Sequence, residues 1–191
     1  MANNRSRGPT GQAAAATSPL GGPGGPGGPG GVRAPFDQAR YRSVLGHYAT
    51  GVTVVAAVEG GQPIGLSVNS FTSVSLDPPL VSFCAAKGSS SWPRIRAAGS
   101  FSVNVLAEDQ EVLSRVFATR GADKFAGVRW RPAPSGAPLI EGTLAWVEAT
   151  VEAEYEAGDH VLVVGRVSDL DVAGEGRPLI YYRGGYGRFE P

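Results

Sequence analysis

The chain has 191 residues, with 17 basic and 17 acidic side chains and a formal net charge of zero. No basic cluster stands out, which argues against binding nucleic acid through its phosphates. The single cysteine, Cys84, rules out an internal disulfide and points to a reducing, cytoplasmic setting. With His47 and His160 far apart and no other cysteine, no spacing resembles a metal site.

Residues 1–35 begin rich in Ala, Ser and Thr and pass into a Gly-Gly-Pro repeat over Gly21–Gly31. Such a segment has almost nothing to bury and is expected to be a disordered tail. It lacks the apolar core of a secretory leader, and no run in the chain is long enough to span a membrane. A G-x-G-x-x-G match at Gly22, Gly24 and Gly27 falls inside this repeat, with no strand before it and no helix after it, and carries no nucleotide-binding meaning. Residues 36–191 are expected to form one domain.

Phe36–Ala49 reads as an amphipathic helix, with Ala39, Val44, Leu45, Tyr48 and Ala49 forming the apolar stripe. After Gly51, Val52–Val58 is a β-branched strand. The turn residues Glu59-Gly60-Gly61-Gln62-Pro63 connect it as a hairpin to a strand over Ile64–Leu76. Asp77-Pro78-Pro79 ends that strand, because proline removes ladder donors, and Leu80–Ala86 is a third. Ser91-Trp92-Pro93-Arg94-Ile95 opens a helix with Ser91 as N-cap and proline in the first turn. Phe101–Leu106 is a strand. Glu108–Ala118 is a helix with Val112, Leu113, Val116 and Phe117 on one face. Arg120–Pro138 is loop. Ala145–Glu156 alternates as a half-buried strand, with Glu148, Glu152 and Glu154 expected on the solvent face. His160–Val167 returns after a Gly158-Asp159 turn, and Leu179–Tyr182 closes the chain. Six or seven hairpin-linked strands with two or three helices point to a mainly β fold, a small antiparallel barrel with peripheral helices.

Two segments carry more polar chemistry than stability requires. Between Gly65 and Leu76, small hydrogen-bonding side chains stand at Ser67, Asn69, Ser70, Thr72, Ser73 and Ser75. A strand edge that holds a flat heterocycle rich in donors and acceptors would use them; an edge kept polar against aggregation is the plain alternative. Lys87-Gly88-Ser89-Ser90-Ser91 precedes a helix and offers hydroxyls, helix N–H groups and a cation to a phosphate; a solvated turn is the plain alternative. Cys84, among Val81, Phe83 and Ala85, reads as a small buried hydrophobe.

These two segments, with Asp77-Pro78-Pro79, Ala122-Asp123-Lys124-Phe125-Ala126-Gly127, Gly158-Asp159-His160 and Tyr181-Tyr182-Arg183-Gly184-Gly185-Tyr186, follow one another in an order that resembles the flavin reductase-like family over residues 36–188. The texture is similar to the reductase components that serve aromatic or steroid-ring hydroxylases. The resemblance implies an antiparallel split β-barrel, the FMN-binding split barrel. It implies an NAD(P)H-dependent flavin reductase, homodimeric, that passes a hydride from NADH or NADPH to FMN or FAD and supplies reduced flavin to a partner monooxygenase. It assigns Gly65, Leu66, Ser67, Val68, Asn69, Ser70, Phe71 and Thr72 to the flavin ring. Ala86, Lys87, Gly88, Ser89, Ser91 and Trp92 go to the flavin phosphate end. Lys124 and Phe125 would reach the flavin, often across a dimer interface. His160 is the catalytic candidate on the nicotinamide side, since histidine gains and loses its proton near neutrality, and Tyr182, Arg183 and Tyr186 complete that side. A flavin-binding carrier or sensor on the same barrel would have no need for His160 and Arg183. An oxidase of the pyridoxamine-phosphate type would call for more cations around a substrate phosphate.

Overall fold

The computed structural model describes residues 37–121 and 123–190, so the expectation for residues 1–35 lies outside the described residues. Its centre is a strand that cannot show a two-residue polarity pattern. In β2 (Thr53–Glu59), Val55 and Ala57 enter one apolar cluster with Phe83, Phe101, Val103 and Val163. Val54 and Ala56 enter a second with Leu106, Phe117, Phe125 and Leu179. Successive strand residues face opposite ways, so burial on both faces demands an unbroken apolar run. Phe83, Phe101 and Phe117 are fully buried, each contributing about 1.5–3 kcal/mol by removal from water.

Seven antiparallel strands run in the order β3-β2-β6-β9-β10-β5-β4. Besides β2 they are β3 (Gln62–Val68), β4 (Thr72–Leu76), β5 (Pro79–Ala86), β6 (Ser100–Val105), β9 (Ala145–Ala157) and β10 (His160–Val172). The β2–β3 hairpin forms as predicted. The single strand expected over Ile64–Leu76 does not: β3 and β4 are the two opposite edges of this sheet, and Asn69-Ser70-Phe71 crosses between them. The pairing of β4 with β5 ends at Thr72 and Ser82. Beyond it, Cys84 N donates to Ser70 Oγ at 2.9 Å, so a hydroxyl replaces a ladder partner where the barrel splits.

Other differences have local causes. α1 is Gln38–Leu45, shorter than expected, with Asp37 Oδ1 accepting from Arg40 N at 2.6 Å. Among the described residues its apolar side is exposed: Tyr41, Val44, Leu45 and, just beyond the helix, Tyr48 all lie at the surface. α2 is Trp92–Ala98, and Ser91 does not cap it. Ser89 does: its Oγ accepts from Ser91 N at 3.3 Å and from Trp92 N at 3.1 Å. α3 is Glu111–Ala118; Phe117 and Ser114 are its buried residues, and Val112 faces solvent. The expected loop after Arg120 contains a small hairpin, β7 (Trp130–Pro132) with β8 (Pro138–Ile140). It is held by the buried Asn104, which donates to Pro138 O at 3.1 Å and accepts from Ile140 N at 2.8 Å. Glu148 is buried rather than solvent-facing, because its carboxylate accepts from Ser135 N at 2.7 Å beside that hairpin. At the C-terminus β11 (Leu179–Tyr182) pairs with short β1 (Thr50–Gly51) and with an unexpected β12 (Gly185–Arg188).

Candidate active site

The crossing segment, the end of β5, the serine loop, the end of α3 and the start of β10 enclose a cleft of about 300 Å³. Leu66, Ser67, Val68, Asn69 and Ser70 form one wall, with Ala86, Ser89, Lys124 and His160 across from or beside it. Nine of the residues assigned from sequence therefore converge on one space. Cys84 lines it too and is half-buried, not the core residue expected. Ser90, named with the serine loop from sequence, also lines it, as do Phe117, Ala118, Thr119 and Arg120; no local pattern pointed to these last four, since nothing in it announces that a helix C-terminus ends beside a distant strand.

A second cleft of about 210 Å³ shares Ser67, Val68, Asn69 and Ala118 with the first and adds Val52, Tyr181 and Tyr186. The exposed Asn69 amide thus stands between two spaces.

The remaining assigned residues lie elsewhere. Gly65 is tightly packed: a Cβ there would stand 2.6 Å from Phe117 Cε1 and 3.0 Å from Val55 O. Trp92 is buried edge-on to Phe83 at 5.5 Å, and Phe125 edge-on to Phe117 at 5.0 Å, both in the core. Phe71 packs against the barrel core and Thr72 begins the exposed β4 edge. Lys87 is paired with Glu156 on β9. Tyr182 and Arg183 sit in the exposed β11–β12 turn, where Arg183 holds φ 50° and its N–H donates to Gly46 O at 2.8 Å.

Lys124 reaches Gly65 within the same chain. Its Nζ donates to Gly65 O at 3.1 Å, Ser91 Oγ at 3.2 Å and Phe117 O at 2.9 Å. Lys124, expected from the resemblance to reach the flavin site often across a dimer interface, thus meets Gly65 and Ser91 without a second subunit. An ammonium has three donors, and all three are committed to protein acceptors, so Lys124 braces the cleft wall. Partial burial pushes its pKa down.

The serine loop offers an anion less than expected from its helix and more from its own groups. The first helix N–H groups are taken by Ser89 Oγ, and Ser91 is buried against Lys124. Ser89 accepts two N–H groups, which leaves its hydroxyl proton to donate outward. Arg120 offers a cation beside the loop: its Nη2 stands 2.8 Å from where a Cβ on Gly88 would be, so the guanidinium approaches the loop closely there. Replacing Ser89 by alanine should weaken flavin binding about two- to ten-fold in an equilibrium titration, from one lost hydrogen bond. An unchanged affinity would return Ser89 to a capping role alone.

At the other end, His160 lines the cleft, and its Nδ1 donates to Asp159 Oδ1 at 2.8 Å. The hydrogen bond from His160, with its charge, holds the Asp159 carboxyl below the usual carboxylate range.

The cleft fits a flavin. Its wall of small hydroxyls and an amide suits a flat ring with many acceptors, and one end carries a hydroxyl donor and a guanidinium for phosphate. An antiparallel sheet split at one seam, with a polar cleft at that seam, places the molecule among the split β-barrels. Residues 45–190 match the family model described as "Flavin reductase like domain". Over 155 residues the chain is 45% identical to the "Flavin-dependent monooxygenase, reductase subunit HsaB" of Rhodococcus jostii (strain RHA1), covering 81% of this chain and 80% of that one. It is 47% identical over 150 residues to "FMN reductase (NADH) SmoA" of Agrobacterium fabrum, with 78% and 84% covered. The solved Streptomyces globisporus "NADH:FAD oxidoreductase SgcE6" superposes with a TM-score of 0.76 at 40% identity, covering 86% of this chain and 100% of that one. The chain belongs to the flavin reductase-like family.

Proposed function

We propose that this chain is a flavin reductase that transfers a hydride from NADH or NADPH to FMN or FAD bound in the Leu66–His160 cleft, and that it supplies the reduced flavin to a partner monooxygenase. The observation that carries this reading is the meeting of the Ser67–Ser70 crossing, the Ser89–Arg120 end and His160 around one cleft, in a chain whose relatives bear the names HsaB reductase subunit, SmoA and SgcE6.

When bound, the flavin supplies the hydride-accepting ring. The protein's part is placement. Ser67 at the end of β3 and Asn69 in the crossing segment would hold the ring edge, Ser89 and Arg120 would hold the phosphate end, and Lys124 fixes the distance between those walls. His160, oriented by Asp159, lines the cleft, where its imidazole would offer a hydrogen bond or positive charge to the flavin and position the dinucleotide. Holding two planar rings in contact requires no acid–base pair, in keeping with the modest side-chain chemistry of the cleft.

The protein is further read as a homodimer. Support comes from the exposed apolar residues of α1 and from Val74 and Leu76 on the edge strand β4, Leu76 being 95% exposed. No helix among the described residues is long and apolar enough to cross a membrane; the single free cysteine favours a cytoplasmic setting.

The test is anaerobic mixing of the protein with NADH or NADPH and FMN or FAD, following loss of the visible flavin band. Catalytic bleaching with one dinucleotide is expected, at twice the chain mass by light scattering. Flavin that binds but is bleached by neither dinucleotide would make the protein a carrier or sensor.

A further inference from the structure

Three hydroxyls form a continuous chain from the cleft through a helix to the C-terminal hairpin. Ser67 Oγ on β3 lies 2.9 Å from Ser114 Oγ on α3, and Ser114 Oγ lies 2.9 Å from Tyr186 Oη on β12. The middle member is fully buried and lines neither cleft. Ser67 borders both clefts and Tyr186 the second, with the Arg115 guanidinium 4.7 Å above the Tyr186 ring.

Three hydroxyls carry three protons and share two hydrogen bonds. A fully buried hydroxyl must place its proton on a partner or bear the cost of an unmade bond. Ser114 therefore donates either to Tyr186 or to Ser67. In the first arrangement Ser67 donates inward and shows the cleft only lone pairs. In the second, Tyr186 donates to Ser114, Ser114 donates to Ser67, and the Ser67 proton is turned into the cleft. An oxidised flavin ring edge is rich in acceptors and selects the second.

We infer that Ser114 is a positioning residue: fed by Tyr186, it sets the Ser67 hydroxyl as a hydrogen-bond donor to the flavin ring. The inference rests on the placement of flavin in the Leu66–His160 cleft. It explains why a serine occupies the buried face of α3 where an apolar residue would pack, and why a tyrosine on a separate hairpin bears on the cleft wall. Cutting the chain at Ser114 leaves the two outer hydroxyls within reach of water, so the fold should survive the change.

The test titrates Ser67→Ala, Ser114→Ala, Tyr186→Phe and the Ser114→Ala/Tyr186→Phe double variant with FMN and with FAD. Affinity, the visible absorption band of the bound flavin and the melting temperature of the flavin-free protein are recorded. Each single variant should weaken binding about two- to ten-fold, the range set by one hydrogen bond. Each should also shift the flavin band in the direction that Ser67→Ala shifts it. The double variant should be no worse than the worse single one, because both cut one chain. Tyr186→Phe keeps the ring and its packing, so it tests the chain even if Ser114→Ala folds poorly. A flavin band unmoved in Ser114→Ala and Tyr186→Phe, with Ser67→Ala effective, overturns the relay alone. No effect of Ser67→Ala overturns the relay together with the placement of flavin in this cleft.

Discussion

Replacing Lys124 with methionine is expected to weaken flavin binding ten-fold or more and to lower the melting temperature by roughly 2–8 °C. The ammonium joins three segments that sequence separates widely: Gly65 O on β3, Phe117 O at the end of α3 and Ser91 Oγ behind the serine loop. These are the segments that wall the cleft. Methionine matches the length of the stem but leaves two carbonyls and a hydroxyl in a half-buried place without a donor. Hydrogen bonds to a charged group are worth about 1.5–3 kcal/mol, and the open side of this ammonium reduces that to about 1–2 kcal/mol. The larger effect falls on affinity, because a slack wall must be ordered again each time flavin binds. Lys124→Arg should recover little, since a planar guanidinium cannot serve three acceptors grouped around a tetrahedral nitrogen. Calorimetry of the flavin-free protein beside a flavin titration separates the two consequences. A methionine variant with wild-type melting and affinity would show that the brace organises nothing.

The parts of this molecule legible in its sequence are those whose signal is local. The Thr53–Glu59 run, the Gly60-Gly61 turn and the polar stretch from Ser67 each identify themselves, and together they place the β2–β3 hairpin and the start of the cleft. Where a strand's polarity is set by a remote neighbour, the pattern misleads. Glu148 looks like a solvent-side charge until the β7–β8 hairpin brings Ser135 N to its carboxylate. The apparent continuity of Ile64–Leu76 hides a change of sheet edge, because Ser70 makes with its hydroxyl the contact a strand would make with its backbone. The α1 stripe errs the other way: the periodicity is real, yet among the described residues Val44 and Leu45 stay exposed. Ser114 and Arg120 were beyond local reading, since each acts on a residue far away in sequence.

His160 and Arg183, paired by resemblance, are expected to part company in kinetics. His160 lines the cleft, and its orientation is fixed by a 2.8 Å hydrogen bond to Asp159. Removing the imidazole takes away a hydrogen-bonding ring from the cleft lining, so His160→Ala should slow flavin reduction, or raise KM for the dinucleotide, by about ten-fold or more, corresponding to about 1.4 kcal/mol. Flavin affinity should move little, because the ring wall and the phosphate end remain. Asp159→Asn should give a smaller loss of the same kind by loosening the ring. Arg183 borders neither cleft; it occupies the tip of the β11–β12 turn in a left-handed conformation that costs roughly 1–2 kcal/mol for a residue with a Cβ. Arg183→Gly removes that strain and keeps the N–H that donates to Gly46 O, so it should hold or raise the melting temperature while flavin reduction proceeds at the wild-type rate. Stopped-flow reduction of bound flavin, run for both variants over a range of NADH and NADPH concentrations, decides the matter. A ten-fold defect in Arg183→Gly with none in His160→Ala would move the nicotinamide side to the C-terminal hairpin and leave the imidazole a surface group.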